Sequence, residues 1–435
     1  MLPLGLTESC VSQLRAIQFL QKLGFQYLSP EEVAVERDGD FRSVLLGRIL
    51  ATEIKRINRI DSKGDVRVVS DASVMGAIAM LNGAADRESS LSHEKIYRLL
   101  LAGGSFEQRV NAHLRDSRFH FIDWHHPLNN AFHVTADFCV RNGDGRSDRF
   151  PHIVCFVNGL PFVVIECSIT ERFNKIETFE NRFSSCLQEG SLSRLFAFCQ
   201  CFIGLDGKED GYLKVGPGSE DWVSWGEAGD GSLAIDDLIN APAEVADHHK
   251  LFFRREASSK AEIERSPKRH VTGQDQILWN LCRPRCLIDH VRRFVCFDDS
   301  GFVKRFARYS QYCVVTKLKD RVAKRGSGRR RKGGLIWYAE SAGKSQVMLF
   351  LGKSLALDSS LGGLRILFIS DRTDFLEWIE SHFLSCGEES VRVASWEDID
   401  GLMVEKGIKV FTMPYARLED GLDLEKGDRE TPVDS

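Results

Sequence analysis

No run in this 435-residue chain approaches the roughly 18 to 20 consecutive apolar positions that a membrane-spanning helix needs. The opening stretch, Met1-Leu-Pro-Leu-Gly-Leu-Thr-Glu8, has neither the basic region nor the apolar stretch of a secretory leader. The expected compartment is therefore the cytoplasm, with no membrane partner. A global basic field is missing too: 58 Lys and Arg stand against 62 Asp and Glu, a net charge of −4. Any contact with DNA must come from local patches. The twelve cysteines are scattered, and the tightest pairs, Cys199/Cys201 and Cys282/Cys286, lack the CxxC…CxxC spacing of a zinc site. Reduced thiols serving mainly as small core residues are expected. Internal repeats with a period of roughly 20 to 50 residues are absent. What remains is an ordinary globular composition, long enough for two or three domains at roughly 150 residues each.

Periodicity organises the chain. Val11, Leu14, Ile17, Leu20 and Leu23 recur at helical steps after Thr7-Glu8, and Gly24 supplies a stop. A second helical block runs from about Phe41 to Ile57. From about Phe119 the pattern turns to strands, with an imperfect alternation over 132–140 and a polar loop at 141–149. Two apolar runs follow, Ile153-Val-Cys-Phe-Val157 and Phe162-Val-Val-Ile165, and the Asn158-Gly159 between them is a strong hairpin signal. The apolar run Leu195–Leu205 predicts a buried strand, 206–235 a loop and 236–300 mostly helix. Lys317 to Lys332 holds nine Lys or Arg against one Asp. It leads into a predicted strand at Gly333–Tyr338, a glycine-containing turn at 341–343, a helix from about Lys344 to Ala356 and a strand at Arg365–Ile369. That order is the βαβ grammar of a parallel α/β sheet.

The hairpin bears the first candidate chemistry. With a three-residue loop, Asn158 to Leu160, Val157 faces Pro161 and His152 faces Glu166; a loop one residue shorter leaves His152 diagonal to Glu166. Period two places Glu166 and Ser168 on one face and Cys167 on the other. An Asp on one strand with Glu-x-Lys on the next is the arrangement of the PD-(D/E)xK nucleases. Their two carboxylates supply the hard oxygen ligands Mg²⁺ demands, and the lysine positions or activates the attacking water. The segments Asn129-Asn-Ala-Phe-His-Val-Thr-Ala-Asp-Phe138 and Arg149-Phe-Pro-His-Ile-Val-Cys-Phe-Val-Asn-Gly-Leu-Pro-Phe-Val-Val-Ile-Glu-Cys-Ser168 resemble the nuclease domain of the restriction (R) subunits of type I restriction–modification enzymes. The family form is close to N-N-x-F-x-V-T-x-x-F…R-R-P-D-I-V-x-F-V-N-G-I-P-x-x-V-I-E-C-K. The departures fall on the chemistry: the family's metal-binding Asp is His152, its Lys is Ser168, and of the three only Glu166 is kept as catalytic and metal-binding residue. Asp148 or Asp144 is the alternative second carboxylate. The family's Q-x-x-x-Y helix corresponds to Asn174–Glu180, which lacks both Gln and Tyr.

The second constellation is Trp337-Tyr-Ala-Glu-Ser-Ala-Gly-Lys-Ser345. A phosphate loop needs backbone N–H groups around the phosphates, a lysine for the β/γ phosphates and a hydroxyl for Mg²⁺. Gly343, Lys344 and Ser345 supply its end. The full G-x-x-x-x-G-K-[ST] is absent, with Tyr338 at the first glycine. The R-subunit family resembles W-H-T-Q-G-S-G-K-S there, and Ser341 replaces its inner glycine. The resemblance makes Gln274 the candidate adenine reader. Ser370-Asp-Arg-Thr-Asp374 is similar to the family's T-D-R-x-D, and Val410–Met413 is the expected third strand. No D-E-x-H segment follows, so a motor incomplete for ATP hydrolysis is expected.

The basic run reads either as a phosphate-tracking DNA contact centred on Arg329, Arg330, Arg331 and Lys332 or as a solvated linker. The resemblance implies an α/β chain: a PD-(D/E)xK nuclease-like domain at 1–235, a helical connector with the basic linker at 236–332, and an incomplete RecA-like (P-loop) lobe at 333–435. It implies the family's ATP-dependent DNA translocation and cleavage, with Mg²⁺ and ATP as cofactors and DNA and the methylation and specificity subunits as partners. The altered positions make impaired catalysis the expectation. A non-catalytic DNA-binding or docking module and a decayed truncated copy are the alternatives.

Overall fold

The computed structural model describes residues 8–62, 65–85, 92–110, 113–141, 148–167, 190–205, 211–214, 223–225, 232–241, 269–298, 304–324, 331–337, 343–361, 364–386, 388–395, 398–399, 401 and 410–418. The chain forms two compact units, Met1–Arg292 with Ser300–Phe306, and Arg293–Asp299 with Ala307–Ser435. Among the described residues no helix is long and apolar enough to cross a membrane.

The first unit opens on α1 (Glu8–Lys22), whose Leu14, Ile17 and Leu20 are buried at three-residue steps. The chain turns at Gly24, which adopts φ +111°. After β1 (Gln26–Tyr27) come α2 (Pro30–Glu36) and α3 (Gly47–Ile57). The second helical block thus starts later than its apolar pattern, because Phe41–Leu46 is spent on turns. Next are the hairpin β2 (Arg59–Ser62) and β3 (Asp65–Val68), α4 (Asp71–Ala85), α5 (Ser92–Ala102) and the hairpin β4 (Gly104–Val110) and β5 (His113–Phe119). The central strands are β6 (Phe132–Ala136), β7 (Val140–Arg141), β8 (Asp148–Arg149), β9 (Ile153–Val157) and β10 (Leu160–Cys167). They are followed by α6 (Gly190–Phe198), β11 (Cys201–Leu205), β12 (Gly211–Lys214) and β13 (Val223–Ser224). The unit continues with α7 (Ser232–Asn240), α8 (Gly273–Cys282), α9 (Pro284–Arg293) and the short strand Lys304–Phe306.

One seven-stranded sheet, ordered β1-β6-β9-β10-β11-β12-β13, carries the unit. β1/β6 and β10/β11 pair parallel, and the remaining neighbours antiparallel. All five residues of β9 are fully buried, as expected for a strand covered on both faces. The apolar run at 195–205 is not one strand. Leu192, Leu195 and Phe196 are buried at helical spacing in α6, and the helix ends where the Gln200 N–H donates to the Phe162 carbonyl at 2.7 Å. Only from Cys201 does the chain join the sheet. Within 206–235, expected to be loop, β12, β13 and the start of α7 are formed.

The second unit holds the strand Val295–Phe297, α10 (Tyr309–Ala323), α11 (Lys344–Ala356), β14 (Ile366–Ser370), α12 (Thr373–Ser385), β15 (Ser390–Arg392) and β16 (Val410–Pro414). The last three strands form an all-parallel sheet ordered β14-β16-β15, so the chain is α/β with parallel pairing in both units. The predicted strand at Gly333–Tyr338 is not found: 332–337 carry no strand, and Leu335 and Trp337 are 90% and 91% exposed. A strand exists only with a partner, and none is recorded for these residues among the described ones. The basic run is also not simply a linker. Its first seven residues lie in α10, where Lys319 pairs with Asp358 at 2.7 Å.

Candidate functional sites

The hairpin of β9 and β10 brings His152 and Glu166 together by a route other than the three-residue loop. The loop has two residues: Val157 faces Leu160, and Phe156 faces Pro161. Asn158 and Gly159 both take positive φ, +51° and +81°, the requirement of a type I′ turn. A register shift between Pro161 and Val163 then inserts one residue, so that Val163 faces Cys155 and Ile165 faces Ile153. The bulge offsets the shorter loop. It restores the pairing that sets His152 across from Glu166.

The turn is sealed. Asn158 is fully buried; its amide donates to the Phe121 carbonyl and to Asn130 Oδ1, and its Oδ1 accepts the Ala131 N–H. The Gly159 carbonyl accepts the Leu46 N–H at 3.0 Å, at the head of α3.

Glu166 is 8% exposed. Its Oε2 lies 2.6 Å from His152 Nδ1, and its Oε1 accepts the His152 backbone N–H at 3.3 Å. The Cys167 N–H also points at Nδ1, at 3.2 Å. One nitrogen cannot donate to a carboxylate and accept an amide proton at once. The 2.6 Å contact is the shorter and charge-assisted one, so Nδ1 bears the proton and donates to Glu166. The carbonyl of His152 accepts from Gln13 Nε2 at 2.8 Å and from the Asp137 N–H at 3.0 Å. Gln13, buried on α1, is a positioning residue that the strand pattern did not flag. Asp148 does not supply a second carboxylate to Glu166 in any recorded contact; it pairs with Arg141 at 3.3 Å. Ser168, Asp144 and Asn174–Glu180 lie outside the described residues. No group of three or more His, Cys, Asp or Glu side chains that could hold a metal is found among the described residues. A hard cation needs oxygen lone pairs facing it from several sides, and opposite Glu166 stands an N–H donor. These residues do not fit Mg²⁺.

The second unit holds the other site. Gly343, at φ +86°, caps the thirteen-residue α11. The ends of the Gln311 and Gln346 side chains pack where a Cβ would stand, so only glycine fits at this position. Lys344 and Ser345 begin the helix and line a cleft of about 460 Å³ with Ser370, Asp371, Arg372 and Tyr415. Lys344 is exposed. Ser370 and Tyr415 sit at the carboxyl ends of β14 and β16, where open parallel sheets bind ligands. A helix N-terminus, a lysine and a hydroxyl facing one cleft fit a nucleotide's phosphates. Gln311 was missed by the sequence reading: its Oε1 caps the Arg308 N–H, and its Nε2 faces Gln346 Oε1 at 3.1 Å and the Gly343 carbonyl at 3.5 Å. No spacing signalled it, because Arg308 at the N-cap has no acceptor to complete a capping box with Gln311.

Gln274, the expected adenine reader, is in the first unit and its amide is engaged with Ser12 of α1: Oε1 accepts the hydroxyl at 2.8 Å and Nε2 donates to the carbonyl at 3.0 Å. Of the basic cluster, Arg329 and Arg330 lie outside the described residues. Arg331 donates to the Val322 carbonyl at 3.0 Å, and Lys332 is exposed.

Residues 5–218 match the family described as type I restriction enzyme R protein N terminus, and residues 310–420 match the SWI2/SNF2 ATPase family. The type I restriction enzyme HindI endonuclease subunit of Haemophilus influenzae is 26% identical over 387 residues, covering 85% of this chain and 32% of that protein. A Methanocaldococcus jannaschii protein named as a type I restriction enzyme MjaIXP endonuclease subunit is 23% identical over 409 residues, 92% of this chain and 36% of its own length. The chain spans about a third of the length of these curated relatives.

Proposed function

We propose, for a chain that is like the R protein of type I restriction enzymes across both of its compact units, the role of a nucleotide-binding, DNA-associated subunit working beside methylation and specificity subunits in the cytoplasm. On this reading the seven-stranded sheet is a PD-(D/E)xK-like nuclease fold without its full catalytic set, and the parallel sheet of β14, β15 and β16 is the leading part of a RecA-like lobe. The functional parts run 1–235, 236–332 and 333–435, with α8 and α9 of the connector packed inside the first compact unit. Arg331, Lys332 and the neighbouring Arg329 and Arg330 give DNA a sequence-neutral foothold.

The observation that carries the reading is that Lys344 and Ser345, directly after the left-handed Gly343 at the head of α11, line a cleft at the carboxyl ends of parallel strands. A nucleotide here would be held by backbone N–H groups of the first turn of α11, with Lys344 to neutralise phosphate oxygens and the Ser345 hydroxyl available to an accompanying Mg²⁺. Bound ATP supplies the phosphoanhydride whose hydrolysis powers movement along DNA in such motors. The test is titration of the full chain with a fluorescent ATP analogue. Lys344→Ala should weaken binding at least about tenfold, the loss of one charge-assisted contact, while leaving the melting temperature unchanged. Equal affinity in the variant and the parent would remove the nucleotide from the proposal.

A further inference from the structure

We infer that the imidazole of His152 does in this chain what a divalent cation does between two opposed carboxylates: it clamps the ends of β9 and β10 and closes Glu166 to Mg²⁺. The inference deepens the nuclease-like reading of the hairpin and rests on it only for the choice of metal.

Four observations carry it. The bulge between Pro161 and Val163 sets residue 152 opposite residue 166 across the strand pair, so the clamp is dictated by the register. Both carboxylate oxygens turn toward His152, Oε2 to the ring and Oε1 to the backbone N–H. His152 is itself held from the α1 side, its carbonyl taking protons from Gln13 and from the Asp137 N–H. Swinging the ring away would give up the 2.6 Å contact to an 8%-exposed carboxylate, and losing a charge-assisted hydrogen bond at a buried site is costly. Finally, a cation at the roughly 2.1 Å that Mg²⁺ requires of its oxygens would have to enter beside the Nδ1–H, with like polarity facing it.

A second consequence follows from the same contact. Donating Nδ1–H to a carboxylate fixes the ring's orientation and leaves Nε2 directed away from Glu166. In metalloproteins that carboxylate–histidine arrangement supports a soft-metal ligand on the far nitrogen. Among the described residues no further His, Cys, Asp or Glu joins it to complete a set.

The experiment uses the full chain in four forms, parent, His152→Asp, Glu166→Gln and the double variant, melted in EDTA, in MgCl₂ and in MnCl₂. The parent should melt at the same temperature in all three. His152→Asp sets two carboxylates face to face. It should melt several degrees lower in EDTA and regain most of the loss in MnCl₂, and the double variant should not respond to metal. Direct Mn²⁺ titration by electron paramagnetic resonance covers the case in which His152→Asp fails to fold: the parent should bind no more Mn²⁺ than Glu166→Gln does. Mn²⁺ or Mg²⁺ stabilisation of the parent that disappears in Glu166→Gln, or Mg²⁺-dependent plasmid nicking abolished by that change, would overturn the inference. The nucleotide titration, run on the same samples, reports separately on the broader functional reading, because Lys344 belongs to the other compact unit.

Discussion

Replacing Gly343 by alanine tests how much of the proposed phosphate site is conformational. The residue sits at φ +86°, where an L side chain costs about 1–2 kcal/mol. The new methyl would also lie 2.4 Å from Gln311 Nε2 and 2.7 Å from Gln346 Oε1. Both are the far ends of flexible side chains, so the clash is relieved by rotation, at the expense of their 3.1 Å hydrogen bond, about 1 kcal/mol. The total is about 2–3 kcal/mol. It can surface in two places. If the first turn of α11 frays in the free protein, nucleotide binding must rebuild it, and the dissociation constant rises by about 30-fold to 150-fold. If the turn holds, the cost lowers stability instead, by about 2–4 °C of melting temperature per kcal/mol in a unit of this size. Measuring both quantities on Gly343→Ala partitions the total. Gln311→Ala alone forfeits the same hydrogen bond without the backbone cost, so Gly343→Ala should lose affinity or stability beyond it by the backbone part. An alanine variant unchanged in both affinity and melting temperature would refute the reading that only glycine serves at position 343.

Two further outcomes are expected. Gly159→Ala places a Cβ 2.7 Å from the Leu46 carbonyl oxygen and 3.0 Å from the Leu50 nitrogen, at φ +81°; backbone cannot rotate away. A loss of about 2 kcal/mol or more in urea unfolding is predicted, and a loss under about 0.5 kcal/mol would contradict the buried turn. Acid should act through His290, 2% exposed and stacked on Phe306 with ring centroids 5.7 Å apart. Burial pulls its imidazole down from 6.5 to about 4. The unfolded chain thus binds a proton that the folded chain refuses between these values. The associated stability, roughly 3 kcal/mol, is present above pH 6.5 and drains away as the pH falls toward 4. In His290→Gln the slope of stability against pH over this window should flatten by close to one proton; an unaltered slope would exclude His290 as a source.

How much of this was legible beforehand depended on whether local pattern or distant pairing decided the outcome. α1 and α11 were readable to within a residue or two because apolar spacing and flanking glycines both speak locally. The hairpin was readable from Asn158-Gly159, which left its loop at two or three residues. The compensating bulge at Pro161 and Val163 depends on packing that no window of sequence displays. Leu195–Leu205 looked like one strand because a buried helix end and a buried strand have the same composition. The predicted strand at 333–338 failed for a different reason: its apolar residues satisfy strand propensity, but pairing is a property of two segments. The site chemistry divided along the same line. Lys344 and Ser345 were candidates by motif, and the structure sets both on one cleft. The roles of Gln13 and Gln311 come from contacts spanning 139 and 32 residues, beyond the reach of spacing.

The tip of the β9–β10 hairpin is, in most sheets, the outermost and most forgiving point of a strand pair. Here Asn158 and Gly159 are roofed by α3 and stitched to three separate segments. The usual places for a protease nick, an inserted tag or a circular permutation are therefore exchanged. This tip should resist all three, and a graft there would be expected to pull apart the strands that align His152 with Glu166.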